Sequence, residues 1–252
     1  MTEAAWYRQP VIELKAAWAI AKKDMRIYYI KPNIIVSGIM FPLFMFLAFS
    51  VSTTAGPELL VPGLIAITIL FSASSIEPVS IPIERRTKTF DRLLSAPVSL
   101  NSVVLGESLS GFLYSIGIAF IPLVAGILIF GLGVVSILPL VLGLLLTSFC
   151  IASMGTLFAS YPTESPGDIM SMLNLVRLPL VFISGVFIPL ASIPSYAQFV
   201  TYFSPLTYGF DLIHAAYTGT SHFDPLVDVG MLVLFIVIFQ VAADRLYDRY
   251  KA

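Results

Sequence analysis

The feature that most constrains this chain is the length of its uncharged runs: residues 32–57, 59–76, 108–163, 178–210 and 229–243 contain no Asp, Glu, Lys or Arg. A bilayer core about 30 Å thick is crossed by roughly 20 apolar residues in a helix. Run 32–57 therefore supplies one span, and run 59–76, continued past Glu77, a second. Run 108–163 holds two, turned at Gly131 and Gly133; a fifth starts at 178, and residues 227–243 give a short sixth. Backbone groups in lipid must be bonded within a helix or a closed barrel, and these runs are too long and too evenly apolar for barrel strands. The expected fold is all-α with six transmembrane helices. With 58% hydrophobic and 12% charged residues, a soluble domain is excluded. A net charge of −1 argues against a nucleic-acid partner. A single cysteine, Cys150, allows no intrachain disulfide.

Lys and Arg are retained on the cytoplasmic side of short loops. Six spans leave residues 1–31, 84–107, about 160–177 and the tail from 244 on one face, with six, four, one and three Lys/Arg, all 14 in the chain. Both termini are thus expected in the cytosol, with a cytosolic region over 1–31, a six-span domain over 32–243 and a tail over 244–252. The first 31 residues lack the apolar core of a signal peptide, so the first span is expected to be retained. Within them, Val11, Ile12, Leu14 and Trp18 alternate with Lys15, Lys22, Lys23 and Arg26, the pattern of a basic amphipathic helix lying along an anionic leaflet. On the outer side, Pro189, Pro194, Pro205 and Pro225 interrupt a stretch rich in Tyr and Phe. It reads as re-entrant helices over about 190–222, since broken backbone at membrane depth must be covered by protein or face water.

Six of the nine residues from Glu84 to Arg92 are charged. Between Thr87 and Leu94, Phe90, Leu93 and Leu94 share one side at helical spacing while Lys88, Asp91 and Arg92 face away, and Pro97 stops the helix. Charge anchoring alone needs no apolar ridge in the cytosol, so the ridge points to a protein contact.

Glu84, Arg85, Thr89, Phe90, Asp91, Leu93, Leu94, Pro97 and Ser99 resemble the E-R-x-x-G-T-[LF]-[ED]-x-L-L-x-x-P-x-S pattern of the type-two family of ATP-binding-cassette exporter permeases. Lys88 stands where that pattern has Gly, and Glu107 where Lys is common. A second block, Ser184, Gly185, Phe187, Pro189, Pro194, Pro205, Leu206, Thr207, Tyr208 and Asp211, is similar to the family's SG-x-F-x-P … P-L-T-Y-x-x-[DE] signature. The resemblance implies a cell-membrane exporter subunit whose coupling helix, about 84–97, docks on a separate ATPase. Phe90, Leu93 and Leu94 would seat that helix, and Glu84, Arg85, Asp91 and Arg92 would set its register. It further implies a pair of permeases, expected as a homodimer, over two ATPase subunits, and a drug-like, lipid or lipid-linked glycan cargo. The permease itself would be no enzyme and bind no cofactor, with ATP and Mg in the partner; indeed no G-x-x-x-x-G-K-[ST] loop occurs. "LSGF" at 109–112 is similar to an ATPase signature but opens an apolar span.

Glu77 and Arg177 are candidate pathway residues, because intramembrane ionisable groups mark a pathway or find a partner. They leave an ATP-independent secondary transporter or channel as the alternative. Asp211, His214, His222 and Asp224 lack the spacing that would show three or four converging metal ligands, and no metal is expected. The serines of "FSASSIEPVS" read as packing or backbone-bonding groups, with no His base beside them in one motif, which leaves an intramembrane hydrolase least favoured.

Overall fold

The computed structural model describes residues 4–30, 36, 38–40, 43, 44, 47, 56–95, 98–188, 190–192 and 195–251. All regular structure among them is helical. Most of the expected first span, 32–57, falls outside the described residues, as do Pro97, Pro189 and Pro194. In chain order the helices are α1 (Ala4–Asp24), running into a π-helical turn at Met25–Tyr29, then α2 (Pro57–Ala73), α3 (Glu77–Arg86), α4 (Thr89–Leu94), α5 (Leu100–Phe130), α6 (Ile137–Ala159), α7 (Pro166–Ile183), α8 (Ser195–Thr201), α9 (Pro205–Thr218) and α10 (Pro225–Lys251). Taking α2 and α3 together, five helices among the described residues are long and apolar enough to cross a membrane.

Proline starts four of these helices. Pro57, Pro166, Pro205 and Pro225 each occupy the first helical position, where the missing N–H has no partner to lose and φ is already near the helical value. Asp224 completes the last of these starts, its Oδ1 accepting the Leu226 amide at 2.8 Å. The hairpin between α5 and α6 turns at Gly131, whose φ of 64° lies in the left-handed region.

Helix α6 is the centre of the bundle, packed by α2, α3, α5, α9 and α10. Between helices in lipid no hydrophobic driving force operates, so close backbone approach does the work. At Gly143 a side chain would reach within 2.9 Å of Ile213 Cγ1 in α9. α9 is buried along its length. Its 14 residues rise only about 21 Å, too little to cross.

The helix at the expected fifth span, α7, begins at Pro166 rather than at 178. The uncharged-run criterion excluded Asp168 and Arg177, yet Asp168 sits in the first turn and Arg177 is buried inside the protein. The second span is interrupted. Pro78 has no N–H for the Ser74 carbonyl, its ring disfavours helix four residues back, and α2 ends at Ala73. Ser72, Ser74 and Ser75 donate their hydroxyls to the carbonyls of Thr68, Leu70 and Phe71, capping the broken end. These serines act as the backbone-bonding groups expected of them.

Candidate functional site

At the end of the expected second span, α3 turns sharply into α4. The turn passes through Lys88, at φ 59° and ψ 16°, the only non-glycine residue with positive φ among those described. This is the position where the family pattern has Gly, and a side chain there costs about 1–2 kcal/mol in backbone strain. Thr87 and Thr89 close the elbow: Thr87 Oγ1 donates to the Ile83 carbonyl at 3.0 Å, and Thr89 Oγ1 to that of Glu84 at 3.2 Å.

The expected exposed ridge on α4 is corrected by the structure, since Phe90 is only 3% exposed. Its ring stacks on Tyr247 of α10 with centroids 5.5 Å apart, in a cluster with Ile20, Ile81, Val103, Val104 and Ala243, and Leu93 packs on the cluster's edge. The spacing marked one face correctly, but that face seats α4 on its own bundle. The Leu94 side chain lies outside the described residues. Arg85 also points inward. Its guanidinium donates to the carbonyls of Ser160 and Tyr161 at the end of α6 and lies 5.5 Å from the ring centroids of Phe90 and Tyr247. The faces left to solvent carry Arg86, Lys88, Asp91 and Arg92.

Glu84 is buried and turned to the N-terminal region. Lys23 Nζ lies 2.8 Å from Glu84 Oε1, 3.0 Å from Asp24 Oδ1 and 4.0 Å from Glu107 Oε1, and Tyr28 donates to Glu84 at 3.1 Å. Lys23, grouped by sequence with the leaflet-facing bases, instead faces three carboxyls. Burial disfavours its ammonium, but Glu107, Asp24 and Glu84 outweigh that and hold its pKa above the ordinary value. Burial pushes Asp24 up to about 6, against the pull of Lys23. This cluster joins α1, α3 and α5. Glu107, a departure from the family pattern, is 1% exposed at its centre.

Deeper in the bundle, Glu77 at the start of α3 and Arg177 in α7 are 0% and 1% exposed. Tyr29 donates to Glu77 Oε1 at 3.0 Å. Arg177 places Nε and Nη2 at 3.0 and 2.7 Å from the single hydroxyl of Ser74, with its guanidinium 5.6 Å from the Phe71 ring centroid. Sequence reasoning singled out the two charges and missed Tyr29 and Ser74. The available signal was Ser74 four residues before Pro78, where a helix carbonyl loses its donor.

The outer signature residues pin the segment between α7 and α10. Ser184 donates to the Val181 carbonyl at 2.9 Å. Gly185 takes φ 89°, a conformation L side chains rarely adopt, and the Phe187 ring tilts against Phe182. Pro205 starts α9, and Thr207 is fully buried. Tyr208 donates to the Tyr202 carbonyl at 2.8 Å. One turn on, Asp211 accepts the backbone amides of His222 and Phe223 at 2.9 and 2.8 Å. Its carboxylate thereby fastens the loop entering α10, and among the described residues no group of three or more His, Cys, Asp or Glu is arranged to hold a metal.

An all-helical bundle with five helices long and apolar enough to cross a membrane among the described residues, and with buried charges between them, has the character of a polytopic membrane protein. The model of the ABC-2 type transporter family matches residues 15–218, and the chain belongs to that family. It is similar to the inner membrane transport permease YadH of Escherichia coli K12, 24% identical over 192 residues, 76% of this chain and 75% of that protein. It is also similar to the putative transport permease ycf38 of Cyanophora paradoxa, 24% identical over 87% of this chain and 83% of the relative. Nodulation protein J of Rhizobium leguminosarum bv. trifolii is 27% identical over 71% of this chain and 68% of its own length. The chain is thus an ABC-2 permease subunit with membrane-spanning helices.

Proposed function

We propose that this permease is the transmembrane half of an exporter: two copies pair around a substrate path, and two separate ATPase subunits, holding ATP and Mg, dock beneath them. Six spans, with the first over 32–57, place both termini in the cytosol, and α8 and α9 form re-entrant helices in the outer leaflet. Confinement of all 14 Lys/Arg to one face of that topology supports this orientation. The cargo is a drug-like, lipid or lipid-linked glycan molecule, in keeping with the broad apolar surfaces of α5, α7 and α10.

The observation that carries the reading is the elbow. Phe90 fastens α4 to α10, and Arg85 fastens the end of α3 to that of α6, while Arg86, Lys88, Asp91 and Arg92 stand in solvent. Such a polar, rigid projection suits docking on another subunit, where charge pairs set register. Lys88 and Asp91, 3.9 Å apart and exposed, contribute little to this chain's own stability. A channel or secondary transporter running on Glu77 and Arg177 is disfavoured because both are already engaged within the chain.

Reversing Asp91 and Arg92 together, Asp91→Lys with Arg92→Glu, is expected to abolish co-purification of the ATPase and ATP-driven export while leaving thermal stability within about 0.5 kcal/mol. Phe90→Ala is expected to lower the permease's own stability by about 3–5 kcal/mol. Retention of the ATPase by the charge-reversed permease overturns the docking assignment.

A further inference from the structure

The two halves of span two keep different company. α2 packs against α5, α6 and α9, whereas α3 packs mainly on α6 and α7. Between them, Ser74–Ile76 lies outside the helices, and the hydroxyls of Ser74 and Ser75 donate to the carbonyls of Leu70 and Phe71. Such a break leaves the backbone free to bend without exposing polar groups to lipid.

What surrounds the break is specific. On α5, a side chain at Gly111 would collide with Glu77 Oε1; on α6, one at Gly155 would lie 2.8 Å from the Cα and Cβ of Ser74. The break therefore occupies a socket that only glycines leave open. From α7, Arg177 reaches in and grips Ser74 with two donors. Packing alone needs no arginine, and a guanidinium among spans is costly unless held by partners. The first residue of the lower half, Glu77, is held by Tyr29. α7 itself is lightly packed, with Met172, Leu175, Leu178 and Phe182 exposed along one side, and it runs directly into Ser184 and Gly185 of the outer segment.

We infer that Ser74–Ile76 is a mechanical joint and that Arg177 is the positioning residue through which movement of the α3–α4 elbow is passed to α7 and the outer segment. The inference rests on the ATP-driven reading above. Tilting α3 pushes α7, against which it packs, while Ser74 stays bonded to the Leu70 carbonyl of α2. The guanidinium, bonded twice to that hydroxyl, is the fulcrum on which α7 turns and swings its far end. Arg177 then serves transport without touching cargo.

The test uses the complete permease–ATPase complex in nanodiscs, with and without ATP, Mg and vanadate, and follows backbone hydrogen–deuterium exchange at residues 89–95 and at residues 184–188. In the unmodified complex both stretches are expected to respond to nucleotide. In Arg177→Met, and independently in the smaller change Ser74→Ala, the response at 89–95 should persist while that at 184–188 is lost, and Arg177→Lys should restore part of it. If residues 184–188 respond in Arg177→Met and Ser74→Ala as in the unmodified complex, the joint is overturned and the ATP-driven reading stands. If residues 89–95 do not respond in the unmodified complex, the ATP-driven reading fails, and the joint with it.

Discussion

Lys88 concentrates the chemistry of the elbow in one residue. Its left-handed backbone is required by the sharp turn from α3 to α4, and glycine would adopt it without the strain of a Cβ. Relief of about 1–2 kcal/mol is partly offset by the greater freedom of glycine in the unfolded chain, roughly 0.5–1 kcal/mol. Lys88→Gly is therefore expected to stabilise the permease by about 0.5–1 kcal/mol in thermal unfolding; a destabilised variant would mean that the lysine side chain contributes a contact that compensates for its backbone. Residue identity made this position legible as a departure from the family pattern, but only the turn explains why that pattern has Gly. Phe90 illustrates the converse. Its helical spacing assigned it correctly to an apolar face with Leu93, but spacing cannot say which surface that face meets, and Tyr247, its partner, lies 157 positions further along the chain.

At the scale of elements, the N-terminal helix is joined to the bundle by charge. α1 buries Ala17, Ile20, Ala21 and Asp24 at helical spacing and delivers Lys23 to Glu84. Three carboxyls then face one ammonium, and Asp24 is pushed up to about 6 from an ordinary 3.8. An acid whose folded pKa is raised contributes stability that is complete below its unfolded value and is lost as pH rises through the folded one. Above pH 6 the buried charge of Asp24 costs up to about 3 kcal/mol. Asp24→Asn, which resembles the neutral acid, should raise the unfolding temperature at pH 8 and leave it unchanged at pH 4. A lower unfolding temperature at pH 8 would show that ionised Asp24 is needed to hold Lys23. The amphipathic pattern of α1 was plain in the sequence; the inward turn of Lys23 was not, because its partners come from two other helices. Small residues mark where helices approach closely: of Gly111, Gly117, Gly126, Gly143 and Gly155, only Gly117 has no neighbour within 4 Å of where a side chain's first carbon would stand.

For the molecule as far as it is described, uncharged run lengths marked where long apolar helices lie, because the lipid core penalises charge wherever it is unpaired. They misplaced span five for the same reason: Arg177 is paired, and Ser74, which pairs with it, is far away in sequence. The break in span two was equally hidden within an apolar run, although Pro78 and the serines before it supplied the local chemistry. The proposed orientation and the proposed docking of a motor subunit both rest on the elbow, and one measurement tests both. With Cys150→Ala removing the native thiol and Asp91→Cys placing one on the solvent side of α4, a membrane-impermeant maleimide is applied to intact cells and to inverted vesicles, with and without the ATPase co-expressed. Labelling only in inverted vesicles, and its suppression when the ATPase is present, is the predicted result; labelling of intact cells, or labelling indifferent to the ATPase, would contradict it.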